Sequence, residues 1–133
     1  MIRLTRLAGA LLAGLCASVA PAMGAGPSLA MLDGLEAGRW ELRPREAGAA
    51  PQRICLTSGR GLIQLSHPGA ACDQFVLQDT ATQVIVQYTC KGRGYGRTEI
   101  KRESSRLVQI ESQGFANGLP FEFEAEARRI GDC

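Results

Sequence analysis

The stretch from Cys72 to Cys90 decides the fold. It reads Cys72-Asp73-Gln74-Phe75-Val76-Leu77-Gln78, then Asp79-Thr80-Ala81-Thr82, then Gln83-Val84-Ile85-Val86-Gln87-Tyr88-Thr89-Cys90. Both arms are rich in β-branched and aromatic residues, and turn-forming side chains separate them. The pattern predicts a β-hairpin with a cysteine at each open end.

Two registers compete in this hairpin. A disulfide between Cys72 and Cys90 would place these residues opposite each other, whereas the best apolar match places Phe75 opposite Val86 and Leu77 opposite Val84. The two arrangements differ by one residue. Either a β-bulge or another cysteine pairing would remove the conflict, so both alternatives stay open.

The N-terminal segment has the layout of a secretory signal peptide. Arg3 and Arg6 precede an apolar run over residues 7–20, and the small residues of Pro21-Ala22-Met23-Gly24-Ala25 follow it. We expect cleavage after Ala22, with Ala25 as the alternative, and we expect no membrane span in the mature chain. The apolar run is too short to cross a bilayer comfortably.

Four cysteines follow this segment, at positions 55, 72, 90 and 133. An even number of cysteines in an exported chain predicts two disulfides. No Cys-x-x-Cys pair exists and His67 is the single histidine, so we expect no zinc or other metal site. The preferred pairing is Cys72–Cys90 with Cys55–Cys133, and the alternative is Cys55–Cys72 with Cys90–Cys133.

Charge argues against a nucleic-acid partner. The whole chain has 15 Lys and Arg against 13 Asp and Glu, and two of the arginines leave with the signal peptide. The mature chain then has 13 residues of each sign. A net charge near zero lacks the long-range field that steers nucleic acids or anionic membranes.

The mature chain is predicted to be a single, mainly all-β domain over residues 39–133. Residues 23–38 are small, apolar and Gly-rich, which is typical of a poorly ordered lead-in with at most a helical turn over 28–32. Strands are expected over 39–43 and 52–57, and one short helical turn near 58–65.

The last third predicts an antiparallel meander. Asn117-Gly118 between two apolar-alternating segments is a strong hairpin signal, and it places Ile110 opposite Ala125. The preceding strand, residues 95–102, would join through a loop at 103–105, with Ile100 opposite Val108 and Arg97 beside Glu111. Together with the Cys72–Cys90 hairpin, this meander would form a curved sheet or half-barrel.

No catalytic set of residues is visible, and we expect neither an enzyme nor a cofactor. His67 lies in a Ser-His-Pro-Gly turn, which indicates a solvated loop histidine. The Gly-rich segment 91–97 is interpreted as a crossing between strands, because no helix follows that could cradle a phosphate. Alternation makes Glu122, Glu124 and Glu126 the polar face of a strand.

The aromatic residues admit two interpretations. They could fill the core of a small domain, or they could line a pocket for an apolar ligand in a curved sheet. The candidates for such a pocket are Trp40, Phe75, Tyr88, Phe121 and Phe123.

The order of four short elements resembles a known family. These are Gly38-Arg39-Trp40-Glu41, with Ala37 in place of a proline, then Cys55-Leu56-Thr57, Tyr88-Thr89-Cys90 and Gly131-Asp132-Cys133. In this order they resemble domain-of-unknown-function family 3617, which consists of small exported four-cysteine proteins of Gram-negative bacteria. The resemblance implies a periplasmic, disulfide-containing β protein and assigns no activity.

Two functions follow as expectations. The first is a non-enzymatic binding or envelope-associated domain, with a small apolar ligand or an envelope protein as partner. The second is a protein-interaction or inhibitor module that presents disulfide-braced loops, such as the one between Cys55 and Cys72. A cavity able to hold a ligand would favour the first, since an interaction module needs only an exposed patch.

Overall fold

The computed structural model describes residues 26–133, which form one open antiparallel sheet. The predicted signal peptide lies outside the described residues. The strands are β1 (Gly38–Pro44), β2 (Gln52–Leu56), β3 (Cys72–Asp79), β4 (Gln83–Cys90), β5 (Gly94–Ser104), β6 (Leu107–Ala116) and β7 (Leu119–Gly131). A short helix, α1 (Ala30–Asp33), precedes them, and a 3-10 helix (Gly59–Leu62) follows β2. The prediction of a mainly antiparallel β fold with a helical turn near 58–65 is confirmed.

The order of strands in the sheet is β2-β1-β7-β6-β5-β4-β3. Strands β3 to β7 are sequential neighbours and form the predicted meander. Strands β2 and β3 are adjacent in sequence, yet they are the two edges of the sheet. The chain between them, residues 57–71, therefore crosses the whole sheet, and we call it the crossover segment. The face that it covers is called the inner face.

The Asn-Gly hairpin has the register that the sequence predicts. Ile110 lies opposite Ala125, and Asn117 and Gly118 both have positive φ, at 52° and 78°. Two positive φ values make the type I′ turn whose twist matches that of the flanking strands. One face of this hairpin is consequently apolar and buried against the core.

The predicted register between β5 and β6 is wrong by two residues. Ile100 lies opposite Ile110 instead of Val108, and Glu99 rather than Arg97 lies next to Glu111. A shift of two residues leaves every side chain on the same face, so alternation alone cannot distinguish the registers. The turn decides between them, because β5 continues to Ser104 and the pairing shifts between residues 102 and 104.

A β-bulge resolves the conflict in the Cys72–Cys90 hairpin. Cys72 lies opposite Cys90 and Val76 opposite Val86, and the pairing then shifts at Leu77. The apolar pairings Phe75–Val86 and Leu77–Val84 are therefore wrong. Because the cysteine pair fixes the register at the open end, Phe75 lies opposite Gln87 on the outer face. Both preferred disulfides, Cys72–Cys90 and Cys55–Cys133, are confirmed.

The core lies between the inner face, α1 and the crossover segment. Its largest fully buried side chains are Trp40, Tyr88, Leu32, Leu42, Leu62, Ile63, Ile100, Ile110, Val84, Val86 and Val108. Alternation along β4, β5 and β6 directs one apolar stripe from each strand into this layer. The two connections above the sheet supply the opposing apolar surface.

The sequence predicts a poorly ordered lead-in over residues 23–38, of which 23–25 lie outside the described residues, whereas Leu29 to Leu35 are packed against the sheet. Met31, Leu32 and Leu35 are buried, and the Asp79 carboxylate accepts hydrogen bonds from the backbone amides of Ser28 and Leu29 at 3.0 and 3.1 Å. The segment has no period of its own, so the sequence gives little sign of this packing. It becomes ordered because the sheet provides an apolar surface and a carboxylate that accepts hydrogen bonds from two of its backbone amides.

Candidate functional site

A groove of about 680 Å³ lies between the inner face at β1, β2 and β7 and the crossover segment. Its lining is mainly apolar, with Leu42, Ile54, Leu56, Leu65, Pro68 and Phe123. Polar lining comes from Gln52, Arg60, Gln64 and Ser66, and Cys55, Gly61 and Gly69 complete the wall. Ligand pockets in proteins typically have volumes of about 300–1,000 Å³ and mostly apolar walls. We call this cavity the inner-face groove.

The sheet side of the groove follows from the alternation of β2 and β1. Ile54 and Leu56 on β2 share the inner face with Leu42 on β1, and Phe123 on β7 shares it as well. Strand β2 is short and lies at the edge of the sheet, so the layer above covers Leu56 at its end but leaves Gln52 and Ile54 partly open. Ile54 is half-buried for this reason.

Hydrogen bonds to the sheet hold the opposite wall of the groove in place. Thr98 donates its hydroxyl to the Ile63 carbonyl at 2.5 Å, and its oxygen lies 2.8 Å from the Ser112 hydroxyl. Further along, Gln64 donates its side-chain amide to the Ala70 carbonyl at 2.8 Å. These bonds satisfy polar groups that burial would otherwise leave unpaired. The Thr98 bond fastens the middle of the crossover segment to β5, and the Gln64 bond closes the segment on itself.

His67 also holds the crossover segment against the sheet, and the prediction of a solvated loop histidine is wrong. Its side chain is buried, with Nδ1 at 3.0 Å from the Tyr88 hydroxyl and Nε2 near the carbonyls of Arg93 and Phe115, at 3.1 and 3.0 Å. Since carbonyls only accept, Nε2 carries the proton and Nδ1 accepts from Tyr88. Burial raises the pKa of Tyr88, against a smaller opposing effect of its hydrogen bond with Ser112.

Charge at the groove is balanced within the protein. Arg60 is the one charged side chain that lines the groove in the described part of the chain. Its guanidinium contacts Asp33 at 2.7 Å and donates to the Ser28 carbonyl at 2.6 Å. The hydrogen bond from Arg60 holds the pKa of Asp33 below its usual value. The arrangement therefore suits an uncharged, apolar occupant better than an anion.

The five aromatic residues proposed for a pocket do not come together. Trp40 and Tyr88 are fully buried in the core, while Phe75 is 67% exposed on the outer face. Phe121 is half-buried with its ring 5.9 Å from the His67 ring, and Phe123 alone lines the groove. The sequence pattern did not identify Ile54, Leu65 and Pro68 as residues that line a pocket. These residues come together only because the crossover segment spans the sheet, and no local sequence pattern indicates such a connection.

The other candidate motifs lie in a turn and on a strand of the sheet. Of the Gly-rich segment 91–97, which is predicted to cross between strands, residues 91–93 form the turn between β4 and β5 and residues 94–97 belong to β5. Glu122, Glu124 and Glu126 share the outer face of β7. Among residues 26–133, no three His, Cys, Asp or Glu side chains are grouped so that they could hold a metal ion.

Comparison with protein-family models, with curated proteins and with solved structures finds no match to this chain. No helix within residues 26–133 has the length and apolar character needed to cross a membrane.

Proposed function

We propose that this protein is a periplasmic, non-enzymatic binding domain of the cell envelope. In this proposal the N-terminal signal peptide exports the chain, which is one of the small four-cysteine proteins of domain-of-unknown-function family 3617. The inner-face groove then holds a small apolar ligand. The observation that carries the proposal is the groove itself, with its volume of about 680 Å³.

Three features of the groove support an apolar occupant. Its floor consists of Leu42, Ile54 and Phe123, and its one charged side chain already has a carboxylate partner. The wall is held by buried hydrogen bonds, so little ordering is needed when a ligand binds, and this lowers the cost of binding. The two disulfides are compatible with an oxidising compartment.

The first experiment is the native mass of the protein recovered from the periplasm under gentle conditions. We expect a chain that begins after Ala22, or after Ala25, with the loss of four hydrogens and a reproducible small-molecule adduct. A bare chain from the periplasm would contradict ligand binding. Recovery only from the cytoplasm, with the N-terminal segment intact, would contradict the compartment.

A groove-filling variant tests where the ligand binds. Gly61 is exposed and lines the groove, and a Cβ there would lie 3.0 Å from the Leu56 Cδ2 atom. We expect Gly61→Phe to abolish both the adduct and the fluorescence of the neutral probe N-phenyl-1-naphthylamine. Gly26→Phe is the matched control, since a Cβ at Gly26 meets no atom within 4 Å. Equal probe binding by both variants would place the ligand elsewhere.

A second candidate is the protein-interaction module, and one observation favours it. At the free edge of the sheet, β3 exposes Phe75 and Leu77, at 67% and 48%. An exposed edge with apolar side chains is a ready template for strand addition by another protein. The loop between Cys55 and Cys72, in contrast, covers the inner face. A photo-crosslinker at position 75 should give one defined product in the periplasm if this candidate is correct.

A further inference from the structure

The outer face carries a second feature, on the side of the sheet opposite the groove. Strand pairing sets Tyr95 beside Phe115 in one row, and Gln87, Arg97 and Gln113 in the next row. Positions two residues apart along a strand point to the same side, so the two rows are neighbours on one surface. We call these five side chains the outer-face patch.

The aromatic half of the patch is an open platform. Tyr95 is 48% exposed and Phe115 is 40% exposed, with ring centroids 5.7 Å apart and planes tilted by 33°. Each of the two residues thus leaves two fifths or more of its surface open to solvent. They therefore offer apolar area to a ligand at small cost in conformational entropy, because their positions are set by the strands.

The polar half of the patch is unengaged. Within residues 26–133, the side chains of Gln87, Arg97 and Gln113 make no hydrogen bond and no ion pair. One pair of positions further along the strands, by contrast, Glu99 accepts from Gln83 at 2.5 Å and contacts Lys101 at 2.9 Å. The patch thus combines one free guanidinium with two free amides beside an aromatic surface.

The electrostatic surroundings of the patch are positive on one side. Lys91 and Arg93 are exposed in the turn between β4 and β5, and neither forms an ion pair in the described chain. The carboxylates nearest to Arg97 on this face are Glu99, two residues along β5, and Glu111, which lies opposite Glu99 on β6. Glu122 lies beyond Gln113, and Asp73 lies beyond Thr89. Glu99 is engaged by Gln83 and Lys101, and no carboxylate within residues 26–133 forms an ion pair with Arg97, which adjoins the ring of Tyr95 on the same face.

The patch encloses a shallow depression of about 410 Å³. Its five side chains line it together with Gly96, Gly114 and Phe121. This volume lies within the range of about 300–1,000 Å³ that is usual for small-molecule sites. The glycines, which have no side chain to fill the surface, lie next to the polar row.

We propose that the outer-face patch binds an acidic saccharide. The apolar face of a sugar ring would lie on Tyr95 and Phe115, and its hydroxyls would exchange hydrogen bonds with the two glutamines, whose amides both donate and accept. Arg97 would take the carboxylate in a bidentate, charge-assisted contact. An anionic bilayer fits less well, because lipid contact would bury both amides without partners.

The test is an NMR titration of the purified, oxidised protein with digalacturonic acid. We expect shifts in the backbone amides of Gly96 and Gly114 and in the side-chain amides of the two glutamines. Arg97→Gln should weaken binding about tenfold or more, since a charge-assisted contact is lost. Affinity should fall to the level that native protein shows for the neutral disaccharide galactobiose.

Two further variants complete the design. Tyr95→Ala should weaken binding of both disaccharides, because it removes the platform and leaves the charge. Arg43→Gln is the matched control, an exposed outer-face arginine that is paired with Glu41 outside the patch, and it should bind as the native protein does. In each variant, unchanged amide positions around Asn117 and Gly118 confirm the fold.

Three results would overturn the proposal. The first is an absence of shifts up to the solubility limit of the sugar, and the second is equal affinity of native and Arg97→Gln proteins. The third is sedimentation with phosphatidylglycerol vesicles that depends on Arg97 and occurs without any saccharide shift, which would assign the patch to a lipid surface. Occupancy of the groove changes none of these results, so failure here is distinguishable from failure of the function proposed above.

Discussion

At the scale of single residues, two glycines set how closely side chains approach the sheet. A Cβ at Gly96 would lie 2.5 Å from the Tyr88 ring, and one at Gly114 would lie even closer to the Tyr95 carbonyl. The bare backbone at Gly96 therefore lets the Tyr88 ring lie flat enough for its hydroxyl to reach His67. The contact between Tyr88 and His67, which helps hold the crossover segment on the sheet, therefore depends on glycine at position 96.

Gly96→Ala should consequently destabilise the protein by about 1–3 kcal/mol, because the added methyl group overpacks a filled site. Urea unfolding of the oxidised protein measures the change. Gly34→Ala is the control, since a Cβ there makes only ordinary contacts of 3.5 Å and the backbone φ is −81°. A Gly96→Ala protein as stable as the native one would show that Tyr88 can move without loss.

At the scale of the elements, a salt bridge joins the segment after α1 to the turn between β5 and β6. Arg106 donates to both carboxylate oxygens of Glu36, at 2.5 and 3.0 Å, and Ser105 donates at 2.9 Å. The hydrogen bond from Arg106, followed by that from Ser105, lowers the pKa of Glu36 from 4.5 to about 2. This clamp ties the docked lead-in to the middle of the sheet.

The clamp predicts a pH dependence. A carboxyl group whose pKa is lower in the folded state stabilises the fold above its unfolded pKa, and this contribution is lost as the pH falls through the folded value. Glu36→Gln should therefore lower stability above pH 5, with a difference from the native protein that shrinks between 4.5 and about 2.

Thermal unfolding across this pH range measures the effect of Glu36→Gln. Glu46→Gln, in the exposed loop after β1, is the control, because Glu46 makes no ion pair in the described chain. A difference between native and Glu36→Gln proteins that stays constant from neutral pH to pH 2 would refute the assigned role of the carboxylate.

The elements also show which structural information is local. The Asn117-Gly118 turn fixes both the type of turn and the pairing on either side of it, so that register is predictable. The β5–β6 register is not, because only the turn distinguishes two pairings that bury the same faces. The packing of the lead-in and the lining of the groove could not be predicted from the sequence for a different reason. Both depend on surfaces that the folded sheet creates between residues distant in sequence.

At the scale of the whole molecule, each edge strand is tied by one disulfide. Cys72–Cys90 joins β3 to β4 across 18 residues, and Cys55–Cys133 joins β2 to the end of the chain across 78 residues. An edge strand has a hydrogen-bonded partner on one side only. In this sheet a disulfide adds a covalent link to each edge strand. The outward-facing backbone of β2 and β3 thus stays in place without being covered.

Removing either disulfide should be costly. The loop-entropy relation gives about 3 kcal/mol for Cys72–Cys90 and about 4.5 kcal/mol for Cys55–Cys133. Typical domains have a total unfolding free energy of about 5–15 kcal/mol, so full reduction should unfold this one. Urea unfolding of the paired Cys→Ala variants provides the comparison. A Cys55→Ala/Cys133→Ala protein with native stability would contradict the expected effect of the longer loop.

The central position of β7 determines when the sheet can be completed. This strand ends two residues before the last residue of the chain, yet it pairs with β1 on one side and β6 on the other. Strand β1 and its hairpin partner β2 therefore leave the ribosome, and any export channel, long before β7 exists. The edge of β1 that faces β7 lacks its partner until residues 119–131 emerge, whereas the contacts of the meander from β3 to β6 are local. Any factor that keeps this chain from aggregating before it folds has to protect the β7-facing edge of β1 until β7 has emerged.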